Sequence, residues 1–207
     1  MSSWRASALE IAADQANLAL LTPEACAQSA IATVGNGFFE HGTLILDLRR
    51  SRFSFSALPL LASNKAAQPL LYARWANAGG HTLVELKRAG GTPGYALLDT
   101  GAVRFGLAAT NAMEWHNLSD GAALAAGAGV QQYRLESWGR DVQCFEKAVD
   151  RALEVGGLTV NQLRASYCVD QGFKAPIQLI GVLGLRPLSD KVITLDYLSR
   201  RWILEEF

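Results

Sequence analysis

The sequence has little cysteine, no net charge and no long apolar run, and each shortage excludes a class of protein. Its 207 residues include 3 cysteines, and 19 basic side chains balance 19 acidic ones. Three cysteines without a Cys-x-x-Cys pair exclude a disulfide-rich secreted scaffold. The balanced charge excludes a generally basic nucleic-acid coat and an acidic tail.

The apolar runs are too short to cross a membrane. The run at 177–185 spans nine residues, whereas a membrane-spanning helix needs about 20. Glu10 and Asp14 interrupt the apolar residues near the N-terminus, so this segment does not have the pattern of a signal peptide. We therefore predict a cytoplasmic protein without membrane contact, whose cysteines are reduced and mostly buried: Cys26, Cys144 and Cys168.

The composition that is present favours a folded domain. Half of the residues are hydrophobic and the mean hydropathy is +0.11, which argues against intrinsic disorder. The length fits one domain of ordinary size. Arginine outnumbers lysine, 14 to 5, in an alanine-rich chain. Because GC-rich codons favour alanine and arginine, we predict a bacterial or phage origin.

Periodicity predicts both helices and strands. Apolar spacings of three and four residues predict a helical segment over 1–35 and a helix over 139–155, the latter on a stripe that includes Val142 and Phe145. Alternation predicts strands at Thr43–Arg49 and Arg52–Ser56 with both phenylalanines of the second turned inward. Further strands are predicted at 81–88, 95–99, 102–109, 130–138 and 191–197, with a turn at Asp99-Thr100-Gly101.

These elements predict a single α+β domain over 1–207. A mixed or antiparallel sheet, with a β-meander near 81–109, would be packed by the N-terminal helices and by the helix at 139–155. The regions are a helical segment (1–35), a mainly sheet part (43–138) and a mixed helical C-terminal part (139–207). Two segments stay open: 121–129 as helix or loop, and 177–185 as strand or helix.

The sharpest enzymatic candidate combines Asp47 on one predicted strand with Glu85 and Lys87 on another. Carboxylates suit a hard divalent cation, and a lysine could stabilise charge in the transition state. An acid followed by Glu-x-Lys resembles the restriction-endonuclease-like nucleases, which implies metal-dependent phosphodiester cleavage. The chain departs from that pattern in its 38-residue spacing and in the strand that follows Lys87. The alternative interpretation is the solvated face of an amphipathic strand.

A small basic cluster could contact phosphates. Arg49, Arg50 and Arg52 lie next to two phenylalanines, a combination that suits a nucleic-acid backbone with stacked bases. The competing interpretation is a charged edge that discourages the addition of another strand. No phosphate-binding loop and no metal-ligand spacing is present in the sequence, so neither a metal nor a cofactor is predicted.

The tryptophans favour a role in protein contacts. Trp115, Trp138 and Trp202, with Arg201, stand beside charges or at the ends of predicted elements. Such amphipathic side chains are common anchors of interfaces, although they also fill cores. We therefore expect a non-enzymatic interaction subunit or adaptor of a bacterial or phage assembly. The alternative is a nucleic-acid-binding or nuclease-like protein that uses Asp47, Glu85 and Lys87.

Overall fold

The computed structural model describes residues 35–74, 80–88, 91–102, 105–137, 140–161, 163–169, 175 and 177–206. The strands of these residues are β1 (Thr43–Asp47), β2 (Arg52–Ser56), β3 (Gln68–Pro69), β4 (Leu71–Arg74), β5 (Gly80–Arg88), β6 (Gly94–Leu98), β7 (Leu107–Ala109), β8 (Gln131–Ser137), β9 (Arg140–Ala148), β10 (Leu153–Val155), β11 (Leu158–Val160), β12 (Arg164–Cys168), β13 (Gly181–Leu183), β14 (Val192–Asp196) and β15 (Arg201–Glu205). The helices are α1 (Asn36–Phe39), α2 (Ala112–Leu118) and a 3₁₀ turn at Arg186–Leu188.

The strands form two sheets within one compact unit, residues 36–207. The first sheet is antiparallel, with the spatial order β2-β1-β14-β15-β3. The second sheet has ten strands. Nine follow the order β11-β10-β5-β6-β13-β7-β12-β9-β8, and the tenth, β4, pairs with β5 on the same side as β10. Two of its pairs are parallel, β6 with β13 and β7 with β12, and the others are antiparallel.

The predicted α+β class is wrong, because the described part of the chain is mostly β-sheet. The helix predicted over 139–155 is replaced by β9 and β10. The apolar spacing of this segment gave the wrong prediction because Val142 and Phe145 lie on opposite faces of β9 and both are buried. A strand covered on both faces lacks clean alternation, so its pattern can imitate a helix. The N-terminal helices predicted within 1–35 fall on residues outside the described ranges.

The predicted meander is partly correct. Strands form at all three of its positions, and β5 pairs with β6 as expected. The third strand, β7, does not pair with β6, because β13 enters from the C-terminal part and lies between them. The open segment 177–185 contains this strand, and 121–129 forms bends and turns without a helix.

The core lies between the sheets and is rich in leucine. Its fully buried side chains include Trp115, Trp202, Leu107, Leu183 and Ile193. The burial of these apolar side chains is the main contribution to the stability of the fold. Among the described residues, no helix is both long enough and apolar enough to cross a membrane.

Cys144 and Cys168 form a disulfide between neighbouring strands. The two residues face each other in the antiparallel pair of β9 and β12. Both are buried, as predicted, but the prediction that they are reduced is wrong. Their separation of 24 residues hid the pairing, since sequence alone did not show β9 beside β12. Cys26 lies outside the described residues.

Candidate functional site

The structure places the three predicted nuclease residues in different sheets. Asp47 ends β1 of the first sheet, whereas Glu85 and Lys87 lie on β5 of the second. The Asp47 carboxylate accepts hydrogen bonds from the backbone N–H and the guanidinium of Arg50, each at 3.0 Å. Burial acts to raise the pKa of Asp47, but these hydrogen bonds hold it below its ordinary value. Asp47 thus closes the β1–β2 turn.

Glu85 and Lys87 line a shallow cleft of about 100 Å³ where the two sheets meet. Lys87 stands opposite Glu154 on β10, and Glu85 stands opposite Tyr95 on β6. Trp202 of the first sheet also lines this cleft, but Asp47 does not. Within the described residues, no group of three or more His, Cys, Asp or Glu side chains is arranged to hold a metal ion.

The predicted basic cluster lies on the β1–β2 turn. Arg49, Arg50 and Arg52 are all exposed there, and Arg50 forms its ion pair with Asp47. The prediction that both neighbouring phenylalanines turn into the core is wrong for Phe53, which is 54% exposed. Phe55 is partly buried and packs against Phe38 and Phe39 of α1.

The predicted interface residues are largely internal. Trp115 and Trp202 are buried in the core, and the Trp115 indole donates to the carbonyl of Ala122 at 2.9 Å. Arg201 is half-buried and donates to the carbonyl of Ala67. Trp138 lies outside the described residues. The two buried tryptophans present almost no surface that a partner could contact.

A site that the sequence interpretation missed lies at Asp99, where two parallel strands end together. β6 and β13 run parallel with Leu98 opposite Leu183, and both leucines are buried. The backbone N–H of Asp99 donates to the carbonyl of Leu183 at 3.0 Å. Asp99 is therefore the first residue after a buried strand in the interior of the second sheet. Carboxyl ends of parallel strands are recurrent places for functional side chains.

Residues 99–102, here called the Asp99 loop, hold the carboxylate in a tight turn. The N–H of Gly101 donates to Asp99 Oδ1 at 2.8 Å, and the N–H of Ala102 donates to the carbonyl of Asp99 at 3.2 Å. Asp99 is partly exposed, and Thr100 is exposed. No other described residue donates a hydrogen bond to the carboxylate or pairs with it. One oxygen, Oδ1, is thus oriented by the backbone of its own turn.

Two glycines allow neighbouring segments to brace this loop. The N–H of Gly184 donates to the carbonyl of Gly106 at 2.9 Å, and the N–H of Leu185 donates to that of Ala102 at 3.3 Å. A Cβ atom on Gly184 would clash with the carbonyl oxygens of Ala102 and Phe105. Only glycine permits backbones to approach this closely. The hydrogen bond from Leu185 thus fixes the end of the Asp99 loop on the segment that follows β13.

The sequence contained a signal for this site, but not its context. The turn at 99–101 was predicted correctly as a turn, and its aspartate was assigned no chemistry. The signal was an aspartate directly after the apolar run that forms β6. The supporting signal was a second apolar run, residues 177–185, that contains Gly184 near its end. Because the two runs are far apart in the chain, only the fold shows that they end side by side.

The arrangement can transfer protons. A partly exposed carboxyl group with an oriented oxygen can accept a proton from water or donate one to a carbonyl oxygen. No protein-family model matches the sequence, and no curated protein is significantly similar to it. The chemistry of Asp99 therefore has to be argued from its geometry.

Proposed function

We propose that the protein is a hydrolase of the aspartic-protease type that cleaves peptide bonds, with Asp99 as its catalytic carboxylate. The observation that supports this most is the Asp99 loop, which holds a partly exposed aspartate, with one oxygen oriented by the backbone, at the end of a buried strand. The non-enzymatic role expected from the sequence depended on the tryptophans and the apolar content as well as on the lack of a recognised catalytic group. A catalytic Asp99 would remove the second of these two grounds.

The chemistry requires two carboxyl groups that share one proton. The ionised carboxylate takes a proton from a water molecule as the water oxygen attacks the carbonyl carbon of the peptide. The protonated carboxyl gives its proton to the carbonyl oxygen, and a tetrahedral intermediate forms. When the intermediate collapses, the carboxyl group that took the proton from water gives it to the amide nitrogen, one hydroxyl of the intermediate returns its proton to the other carboxylate, and the C–N bond breaks. The products are a carboxylic acid and an amine.

A second copy of the chain would supply the second carboxylate. The sequence Asp-Thr-Gly occurs once in the 207 residues, so one chain provides one such loop. A two-fold dimer brings identical surface patches together, and two Asp99 loops placed near its axis would form the pair. The protein partner expected from the sequence would then be the protein itself.

Cleavage of an unfolded protein substrate at acidic pH tests this function. The full chain should produce new N-termini, and Asp99→Asn should reduce the rate on the order of 10³-fold, since acid–base groups contribute about that much. Asp47→Asn is the matched control, because it changes an aspartate of the other sheet. Equal rates for the wild type and Asp99→Asn would contradict the proposal.

A second candidate is the interaction role expected from the sequence. Its support is the exposure of Phe38, Leu58 and Leu60, three large apolar side chains near β2. Exposed apolar patches commonly mark interaction surfaces. A chain that stays monomeric at high concentration and captures no protein would contradict this role. Sedimentation of the purified chain and affinity capture from its source cell measure both outcomes.

The remaining expectations gain less support. The nucleic-acid alternative would need Asp47 beside Glu85 and Lys87, but only the last two share a cleft. Disulfides persist mainly in oxidising surroundings. The disulfide of Cys144 and Cys168 therefore favours an oxidising compartment rather than the cytoplasm that the sequence predicted. A bacterial or phage origin stays a prediction from composition.

A further inference from the structure

Glu146 on β9 is a buried carboxylate that binds two arginines. It is 8% exposed. Its Oε1 accepts a hydrogen bond from Nε of Arg164, and its Oε2 accepts one from Nη1 of Arg186 at 3.4 Å. Arg164 also donates through Nη2 to Oε1 of Gln131 at 3.1 Å. Hydrogen bonds between charged groups are stronger than those between neutral groups. This network therefore ties β9 to two other segments.

One of those two segments braces the Asp99 loop directly through Leu185, and the other, β12, packs on Gly106. Arg164 begins β12, and its carbonyl packs so closely on Gly106 that a Cβ there would clash with it. Arg186 follows Gly184 and Leu185, whose N–H groups donate to the carbonyls of Gly106 and Ala102. Each brace reaches the Asp99 loop, or Gly106 just after it, through backbone contacts. Each also reaches Glu146 through an arginine side chain.

We propose that Glu146 is a positioning residue, which joins the two braces and thereby holds the Asp99 loop in place. Removal of its charge would leave Arg164, whose side chain is 24% exposed, and Arg186, whose side chain is 49% exposed, without their shared buried counter-ion. We expect the segments that carry them to loosen. The geometry of the loop would loosen without any change in the residues that contact substrate. The catalytic consequence rests on the function proposed for Asp99; the effect on the loop does not.

Amide hydrogen exchange of the full chain tests the structural part. In Glu146→Gln, the amides of Gly184 and Leu185 should exchange at least about tenfold faster, because loss of a buried ion pair releases local structure. The amides of β1 and β14 should keep their wild-type rates. Unchanged rates at Gly184 and Leu185, or an equal increase throughout the chain, would overturn the proposal.

Glu40→Gln is the matched control. The Glu40 side chain is 14% exposed and pairs with Arg74, and the Glu146 side chain is 11% exposed. This control should leave the amides of Gly184 and Leu185 at their wild-type rates, and acceleration equal to that of Glu146→Gln would overturn the proposal. If Glu146→Gln does not fold, Arg186→Gln removes one of the two contacts and should accelerate Leu185 by a smaller factor. No acceleration in Arg186→Gln would also overturn it.

Peptide cleavage separates this inference from the proposed function. With an active wild type, Glu146→Gln should lower kcat about tenfold with an unchanged KM, since small displacements of a catalytic group reduce the rate steeply. Glu40→Gln should retain both constants. An inactive wild type whose Gly184 and Leu185 amides respond to Glu146→Gln would refute the hydrolase and support the positioning role. An active wild type with the same kcat in both variants would refute the positioning role alone.

Discussion

Two hairpins of the first sheet carry the same sequence pattern but lie in different surroundings. In the β1–β2 hairpin, Leu46-Asp47 is followed by four turn residues and then by Arg52-Phe53. The other is β14–β15, with Leu195-Asp196 and then Arg201-Trp202 at the same spacing. In both, the aspartate accepts backbone hydrogen bonds across the turn. The residue before the arginine, Ser51 or Arg200, has a positive φ in both turns.

The register between the hairpins is also symmetric. β1 pairs with β14 antiparallel, with Thr43 opposite Asp196 and Asp47 opposite Val192. The two turns therefore lie at opposite ends of the pair. β2 then forms one edge of the sheet, whereas β15 has β14 on one side and β3 on the other.

The surroundings decide how much each hairpin contributes to stability. Asp196 is fully buried and accepts from the N–H groups of Leu61, Leu198 and Ser199 at 2.8 to 3.1 Å. Asp47 has one N–H and an exposed guanidinium. Trp202 is 2% exposed, and the equivalent Phe53 is 54% exposed. The local sequence specifies the conformation of the turn, and its burial by the rest of the fold sets how much the hairpin contributes to the free energy of unfolding.

The aromatic pair should show the largest difference. Trp202→Ala empties a core site, and such changes cost about 3–5 kcal/mol of unfolding free energy. Phe53→Ala should cost less than about 1 kcal/mol, because substitutions at exposed positions have small effects. Urea unfolding of the two variants measures both values. Equal losses would show that the two hairpins are covered alike.

The two aspartates should differ in the same direction. Asp196→Ala leaves one buried and two partly buried N–H groups without an acceptor. We expect a loss of about 3 kcal/mol, since each charged hydrogen bond contributes about 1.5–3 kcal/mol. Asp47→Ala should lower the melting temperature far less, because water can replace its carboxylate. Thermal unfolding at neutral pH compares them. A larger loss for Asp47→Ala would reverse the assignment.

Acid should distinguish the aspartates by a smaller effect. Burial acts to raise the pKa of Asp196, but hydrogen bonds from Ser199 and Leu61 lower it below its ordinary value of 3.8. The unfolded chain therefore takes up the proton first as the pH falls. The stability from Asp196 is complete above about pH 4 and is lost as the pH falls through the lower folded pKa. Asp196→Asn should flatten this acid loss more than Asp47→Asn does. An equal reduction of the acid-induced loss of stability in the two variants would contradict the difference in burial between the two aspartates.

Part of this fold follows from local sequence and part does not. The strands β1 and β2 were predicted correctly because each alternates over five residues next to a strong turn. The helix predicted over 139–155 was wrong because β9 lies between β8 and β12 and is buried on both faces at residues 144–146. The mixed helical part predicted over 139–207 is wrong at its end as well, because residues 201–205 form β15 and complete the second hairpin.

The candidate site was harder to predict, because its parts come from distant segments. Asp99 is visible in the sequence as a turn residue after an apolar run. Its importance depends on β13, which is more than 80 residues away in the chain. Glu85 and Lys87 share the cleft as their alternation implies. Their expected partner Asp47 is in the other sheet, a separation that short motifs do not reveal.

Subunit mixing tests the central claim, that two Asp99 carboxylates from two chains form one active site. Wild-type protein is incubated with increasing amounts of Asp99→Asn, and peptide cleavage per wild-type chain is measured. Activity per wild-type chain should fall toward zero, because mixed dimers hold a single Asp99. Asp47→Asn, added in the same amounts, should leave the activity unchanged or raise it. Wild-type activity that stays constant in excess Asp99→Asn would contradict the account.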